Sequence, residues 1–165
     1  MVNLRPVAFV TAVFTVVCFV LSGLTVFAQP DVSASCAALM VAETGELIYG
    51  KNEHDRRSMA STTKIMTSLL AIEALTPQRK ITVSADMLNV EGTSMGLLPG
   101  DTVTLEGLVY GMLLQSGNDA ANVTAITLGG NVENFVSMMN KRAGEIGMND
   151  THFEKIGRAS CRERV

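Results

Sequence analysis

Ser61-Thr62-Thr63-Lys64-Ile65-Met66-Thr67-Ser68-Leu69-Leu70-Ala71-Ile72-Glu73-Ala74-Leu75 joins a helical apolar pattern to a serine and a lysine at its start. Ile65, Leu69 and Ile72 recur at helical spacing and Pro77 stops the pattern, so a helix is predicted over residues 61–75 with Ser61 at its start. Three residues separate Ser61 from Lys64, which sets a hydroxyl and an amine on the same helical face. A serine hydroxyl is a weak nucleophile at neutral pH and needs a base. A lysine amine can serve once burial or a neighbouring positive charge lowers its pKa. The helix start adds a backbone N–H and a positive dipole end, which favour an oxyanion.

Upstream, Cys36 to Ala42 and Leu47 to Lys51 are short apolar runs on either side of Glu43-Thr44-Gly45-Glu46, the pattern of a β-hairpin. Downstream, Ile81-Thr82-Val83 and a glycine-bearing loop over residues 92–101 precede a second helix. In that helix Leu105, Leu108, Val109, Met112 and Leu113 share one face, and Thr104 is its expected N-cap. Gly107 and Gly111 lie inside it, which predicts close packing against a neighbour. Ser116-Gly117-Asn118 then breaks the pattern. Asp119 is the expected cap of a third helix that runs to Gly129-Gly130, and Asn131 of a fourth that carries Phe135, Met138 and Met139. The expectation is two strands followed by four helices, an α+β arrangement within at most one domain.

Both chain ends are set aside from this reading. Arg5, the apolar run Val7 to Phe27 and Val26-Phe27-Ala28 have the form of a signal peptide over residues 1–28. Residues 156–165 match one reading frame of a common sequencing adapter and are read as a non-native tail, which leaves 29–155 as the domain segment. That segment holds nine basic against fifteen acidic side chains, without a basic run, so nucleic acid is not an expected partner. Its single cysteine, Cys36, excludes an internal disulfide and is expected to be a small buried hydrophobe. His54 and His152 have no ligand-spaced partners, so neither a metal nor another cofactor is expected. Asn122-Val123-Thr124 fits a glycosylation sequon but falls in a helix, and Glu73 and Glu106 read as solvated helix faces.

Alone, Ser61-x-x-Lys64 or Ser116-Gly117-Asn118 is ordinary helix-start or helix-break chemistry. Together, after a hairpin and some fifty residues apart, they resemble two of the three signatures of penicillin-binding proteins and serine β-lactamases. Met59 to Thr67, Glu91-Gly92-Thr93-Ser94-Met95-Gly96-Leu97 and Leu114 to Asn122 narrow the resemblance to the low-molecular-mass D-alanyl-D-alanine carboxypeptidases, over about residues 32–153. The resemblance implies the β-lactamase/DD-peptidase-like fold, here an N-terminal hairpin plus the helical part. It further implies Ser61 as nucleophile, Lys64 as its base, Ser116 as proton relay and Asn118 as a substrate-binding residue. The implied substrate is a peptidoglycan stem peptide, the implied inhibitors are β-lactams, and the implied location is exported, in the periplasm or on the outer face of the cytoplasmic membrane.

The family's third motif, Lys-Thr-Gly, is absent from these 165 residues, so the chain as it stands is expected to be inactive. A small β-rich domain and a C-terminal amphipathic membrane anchor, present in many relatives, would also lie outside it. Two rivals use the same Ser-x-x-Lys: a β-lactamase, and a β-lactam-sensing domain that stays acylated. The first would need a Glu-x-x-Leu-Asn segment, but Gly157 and Arg158 follow Glu154 where Leu and Asn should stand. The second follows several membrane spans, whereas one cleavable-looking segment precedes this domain.

Overall fold

The structure is a computed structural model that describes residues 30–74, 76 and 78–157. The expected signal peptide, Pro77 and residues 158–165 of the expected tail lie outside the described residues. The chain divides into two compact units, residues 1–55 and residues 56–165.

In the first unit β1 (Ala37–Met40) and β2 (Leu47–Lys51) form the expected antiparallel hairpin. Ala37 pairs with Lys51 and Leu39 with Tyr49, and a register shift falls between Leu39 and Met40. Gly45 takes φ 73° in the connection, where Val41 and Glu46 close the turn by a 2.9 Å backbone bond. Residues 30–35 lie along the hairpin, with Val32 O accepting from Lys51 Nζ at 2.6 Å and Ser35 O from Asn52 Nδ2 at 2.9 Å. Cys36 is free and only half-buried, because a two-stranded ribbon has no second layer to cover it.

The second unit holds four helices: α1 (Lys64–Glu73), α2 (Leu105–Gln115), α3 (Asn118–Gly129) and α4 (Val132–Glu145). It also holds two strands that the periodicity did not separate from loop, β3 (Lys80–Thr82) and β4 (Thr102–Thr104), paired antiparallel with Ile81 opposite Val103. Each has three residues, too few for apolar and polar positions to alternate visibly. The architecture is α+β, with two two-stranded antiparallel sheets among the described residues.

One core joins α2 and α3 to the β3–β4 pair through Leu105, Leu108, Met112, Val123, Ile81 and Val83. A second joins α1, α3, α4 and the segment after α4 through Met66, Ala125, Phe135, Met139, Phe153 and Ile156. Thr104 and Asn131 cap their helices as expected, accepting from Gly107 N at 3.1 Å and Asn134 N at 2.7 Å. Gly111 explains itself: a Cβ there would overlap Met95 Sδ, so the loop before β4 packs directly on the α2 backbone. Gly107 meets only the cap hydroxyl of Thr104. Leu113 turns outward, off the buried face that Leu105, Leu108, Val109 and Met112 share.

The larger departure concerns α1. Its apolar spacing points to Ile65 and Ile72 as the buried face, yet these are 62% and 59% exposed. The face actually buried carries Lys64, Met66, Thr67, Ser68 and Ala71, because α1 packs against α2, α3 and α4 on that side. Of the hydroxyls on that face, Thr67 Oγ1 donates to Ile156 O at 2.6 Å, while Ser68 Oγ is buried without a partner. On the opposite side an apolar groove of about 230 Å³ runs past Met59, Ile65, Leu69, Ile146 and Phe153.

Candidate active site

Ser61 lies in a 3-10 turn, Ala60–Thr63, that leads directly into α1. The turn begins at strained backbone. Ala60 has φ 46°, a left-handed value that a residue with a Cβ disfavours, and Thr62 ties both its N–H and its hydroxyl to Met59 O. Ser61 is thereby presented at the surface, and its hydroxyl makes no hydrogen bond among the described residues.

One turn on, Lys64 is 1% exposed. Its ammonium donates to Gly157 O at 2.7 Å and to Ser116 Oγ at 3.3 Å. No carboxylate pairs with it among the described residues, and burial lowers its pKa from the ordinary 10.5. A lysine in this setting loses its proton more readily than one in water, which is the property a base needs.

Ser116 follows the last residue of α2 with φ 55° and ψ 32°, a left-handed position usually given to glycine. That turn reverses the chain between α2 and α3 and lets the Ser116 hydroxyl face Lys64. Asn118 opens α3; its Nδ2 donates to Glu91 O at 2.6 Å, while its Oδ1 is buried without a partner. A Cβ built on Gly157 would stand 3.2 Å from that oxygen and 3.5 Å from Lys64 Cε, so the backbone at 157 is set closely against both residues. Lys64, Ser116 and Asn118 therefore gather from three helix ends around one point, with Ser61 one helical turn away at the surface.

Several contributors were not legible as such in the sequence. Ile156 and Gly157, assigned there to the foreign tail, are buried in the second unit and supply the carbonyls that hold Thr67 and Lys64. Asp119 does not cap α3 at the N-cap position, which Gly117 occupies; its carboxylate is claimed by the loop over residues 94–97 instead. Thr93 joins the site through its carbonyl, which accepts from Asn118 N at 2.7 Å, and its hydroxyl, which donates to Ser116 O at 2.6 Å. Asn122 of the sequon is buried and bonded to Met87 O at 2.8 Å, which leaves no room for a glycan. Glu73 is not merely solvated: Arg142 of α4 grips its carboxylate through two nitrogens, at 2.6 and 2.9 Å.

Comparison with known proteins identifies the family. A family model described as D-alanyl-D-alanine carboxypeptidase matches residues 24–157. The carboxypeptidase DacF of Bacillus subtilis is 37% identical over 126 residues, covering 73% of this chain and 32% of that protein. A D-alanyl-D-alanine carboxypeptidase of Streptomyces sp. strain K15 is 35% identical over 144 residues, covering 80% and 50%. Among solved structures, the carboxypeptidase DacD of Francisella tularensis superposes with a TM-score of 0.76 at 36% identity, covering 83% of this chain and 34% of its own. The chain thus spans between about a third and a half of the length of these relatives. With the match covering most of the residues and both motifs meeting at one point, the chain belongs to the D-alanyl-D-alanine carboxypeptidase family, peptidase family S11.

Proposed function

We propose that the protein works as a serine D-alanyl-D-alanine carboxypeptidase on peptidoglycan stem peptides, outside the cytoplasmic membrane, and that β-lactams acylate the same serine. The observation that carries this reading is Lys64: a buried amine, held between Ser116 Oγ and a backbone carbonyl, one helical turn from an exposed serine.

In the reaction Ser61 Oγ attacks the carbonyl carbon of the penultimate D-alanine while Lys64, as the free amine, takes the hydroxyl proton. The peptide bond breaks, the acyl group stays on Ser61, and the proton passes through Ser116 to the departing amine, so that free D-alanine leaves. Water then hydrolyses the ester and restores Ser61. The unpaired Oδ1 of Asn118 is an acceptor whose unmet demand costs about 1–3 kcal/mol. A donor brought to it by a small shift of Lys64, or by the substrate amide, would recover that cost.

The remaining assignments complete the proposal. Residues 1–28 act as the export signal, the domain segment extends through the packed Ile156 and Gly157, and the exposed Ile65–Ile72 face of α1 is covered by parts of the domain that lie in the relatives' further length. Membrane association through an anchor in that further length belongs to the same reading. The test is D-alanine release from a stem pentapeptide by the protein expressed at the length of its relatives. Release by wild type and none by Ser61→Ala supports the proposal; no release by a folded wild type, or equal release by both, overturns it.

A further inference from the structure

Asp119 is 4% exposed, and no lysine or arginine pairs with it among the described residues. Its charge is met by five hydrogen bonds instead. Oδ1 accepts from Met95 N at 3.0 Å and Ala120 N at 2.9 Å; Oδ2 accepts from Ser94 Oγ at 2.6 Å and from Gly96 N and Leu97 N, both at 3.1 Å. Burial pushes the carboxyl's pKa up, but the bonds from Ser94, Met95, Leu97 and Ala120 outweigh it and hold the group below its ordinary 3.8. Capping would serve the N–H groups of the helix's own first turn, up to four of them. Four of these five donors come from another segment, so capping does not account for the arrangement.

That segment reaches back to the site. Thr93 O accepts from Asn118 N, Thr93 Oγ1 donates to Ser116 O, and Glu91 O accepts from Asn118 Nδ2, at 2.6–2.7 Å. Gly92, at φ 96°, lets the loop approach so closely that a Cβ there would stand 2.7 Å from Asn118 Nδ2. Gly117 does the same from the other side, where a Cβ would meet Asp119 Oδ1 at 2.8 Å and Met95 N at 3.2 Å. The loop and the Ser116-Gly117-Asn118 turn clasp each other, with the Asp119 carboxylate as the pin. Ser116 sits in a backbone region it would not choose by itself, and the clasp holds its carbonyl.

We propose that Asp119 is a positioning residue: its carboxylate fixes the loop over residues 91–97, and through that loop the left-handed Ser116 and the Asn118 side chain, so that the Ser116 hydroxyl faces Lys64. The inference rests on the catalytic reading of Ser61, Lys64 and Ser116. Asn at 119 is nearly the same size but substitutes an amide for one carboxylate oxygen, so it sets its own donors against those of the loop.

The test uses the protein at the length of its relatives. For Asp119→Asn, kcat for D-alanine release falls about 100-fold, as expected for misplacement near 1 Å, while KM changes about threefold or less. Thr93→Ala leaves the carboxylate and its five donors in place and removes only the bond to Ser116 O, and its kcat falls about tenfold. Amide hydrogen exchange at Asn118 and Leu97 speeds up in Asp119→Asn but not at Phe135 or Met139 in the second core. If Asp119→Asn is poorly folded, Thr93→Ala and Ser94→Ala carry the test, and wild-type kcat in both overturns the inference. Wild-type kcat in a folded Asp119→Asn also overturns it. A wild type that neither turns over substrate nor takes a penicillin adduct refutes the catalytic reading instead, and leaves the exchange measurement to judge the clasp.

Discussion

Consider Lys64→Met in the protein at the length of its relatives. The native ammonium is almost fully removed from water, and an ion so placed carries an effective desolvation cost of several kcal/mol. Its bond to Gly157 O, charged to neutral, returns about 1.5–3 kcal/mol, and the 3.3 Å contact to Ser116 Oγ returns less. Methionine follows a similar path through the same volume and asks for no ion desolvation. It leaves the Gly157 carbonyl without its donor, at about 1–3 kcal/mol. The difference favours the variant by about 1 kcal/mol near neutral pH, with acylation strongly slowed.

Burial lowers the folded-state pKa of Lys64 from 10.5, so between the lowered value and 10.5 the unfolded chain binds more protons than the folded one. Stability of the wild type therefore rises with pH through that window, and the variant lacks this rise. Urea unfolding of both proteins near pH 7 and again near pH 10 should show the variant's advantage shrinking as pH increases. A variant clearly less stable than wild type near pH 7, or a gap that widens with pH, would refute the reasoning: Lys64 would then be a stabilising residue rather than one kept for its chemistry.

Two glycines should answer oppositely to alanine. Gly129→Ala places a Cβ 2.8–3.0 Å from the backbone and Cβ of Phe135, which cannot yield without moving α4, and should destabilise by about 1–3 kcal/mol in urea titrations. Gly144→Ala, with open space around the added carbon in α4, should stabilise by about 0.5–1 kcal/mol. Arg142→Ala should lower the melting temperature, and the loss should shrink in high salt, since the Glu73–Arg142 pair joins α1 to α4 at a partly exposed site. Because its folded pKa is depressed, Asp119 contributes stability that is fully present above 3.8 and is lost as pH falls through the lowered value; Asp119→Asn should flatten that limb of the stability profile. Residues 29–157 purified alone should melt without a sharp transition, given the uncovered Ile65, Ile72 and groove; a cooperative melt would contradict this.

Local signals carried the sequence reading where one residue's chemistry decides the structure. Thr104 and Asn131 cap because a short polar side chain at a helix start has few better options, and Gly45 turns because the hairpin needs a positive φ. Spacing alone set Ser61 one turn before Lys64, although the structure places Ser61 in the 3-10 turn ahead of α1 rather than in the helix itself. What could not be read depends on partners distant in sequence. The buried face of α1 is chosen by α2, α3 and α4, so a lysine and two hydroxyl residues go inside while isoleucines stay out. Periodicity counts apolar residues and so points the wrong way. Asp119 looked like a cap because a cap and a loop anchor are the same residue type in the same local context; only the fold brings Ser94 to Leu97 within reach. Gly157 had no sequence signal, since it acts through its backbone carbonyl.

The proposed nucleophile is Ser61. Incubating the protein at the length of its relatives with a penicillin and mapping the adduct by peptide mass spectrometry tests that most directly. One acyl group on the peptide that carries Ser61, absent in Ser61→Ala and strongly slowed in Lys64→Met, is the predicted result. An adduct on any other residue, or equal labelling of wild type and Ser61→Ala, would contradict it.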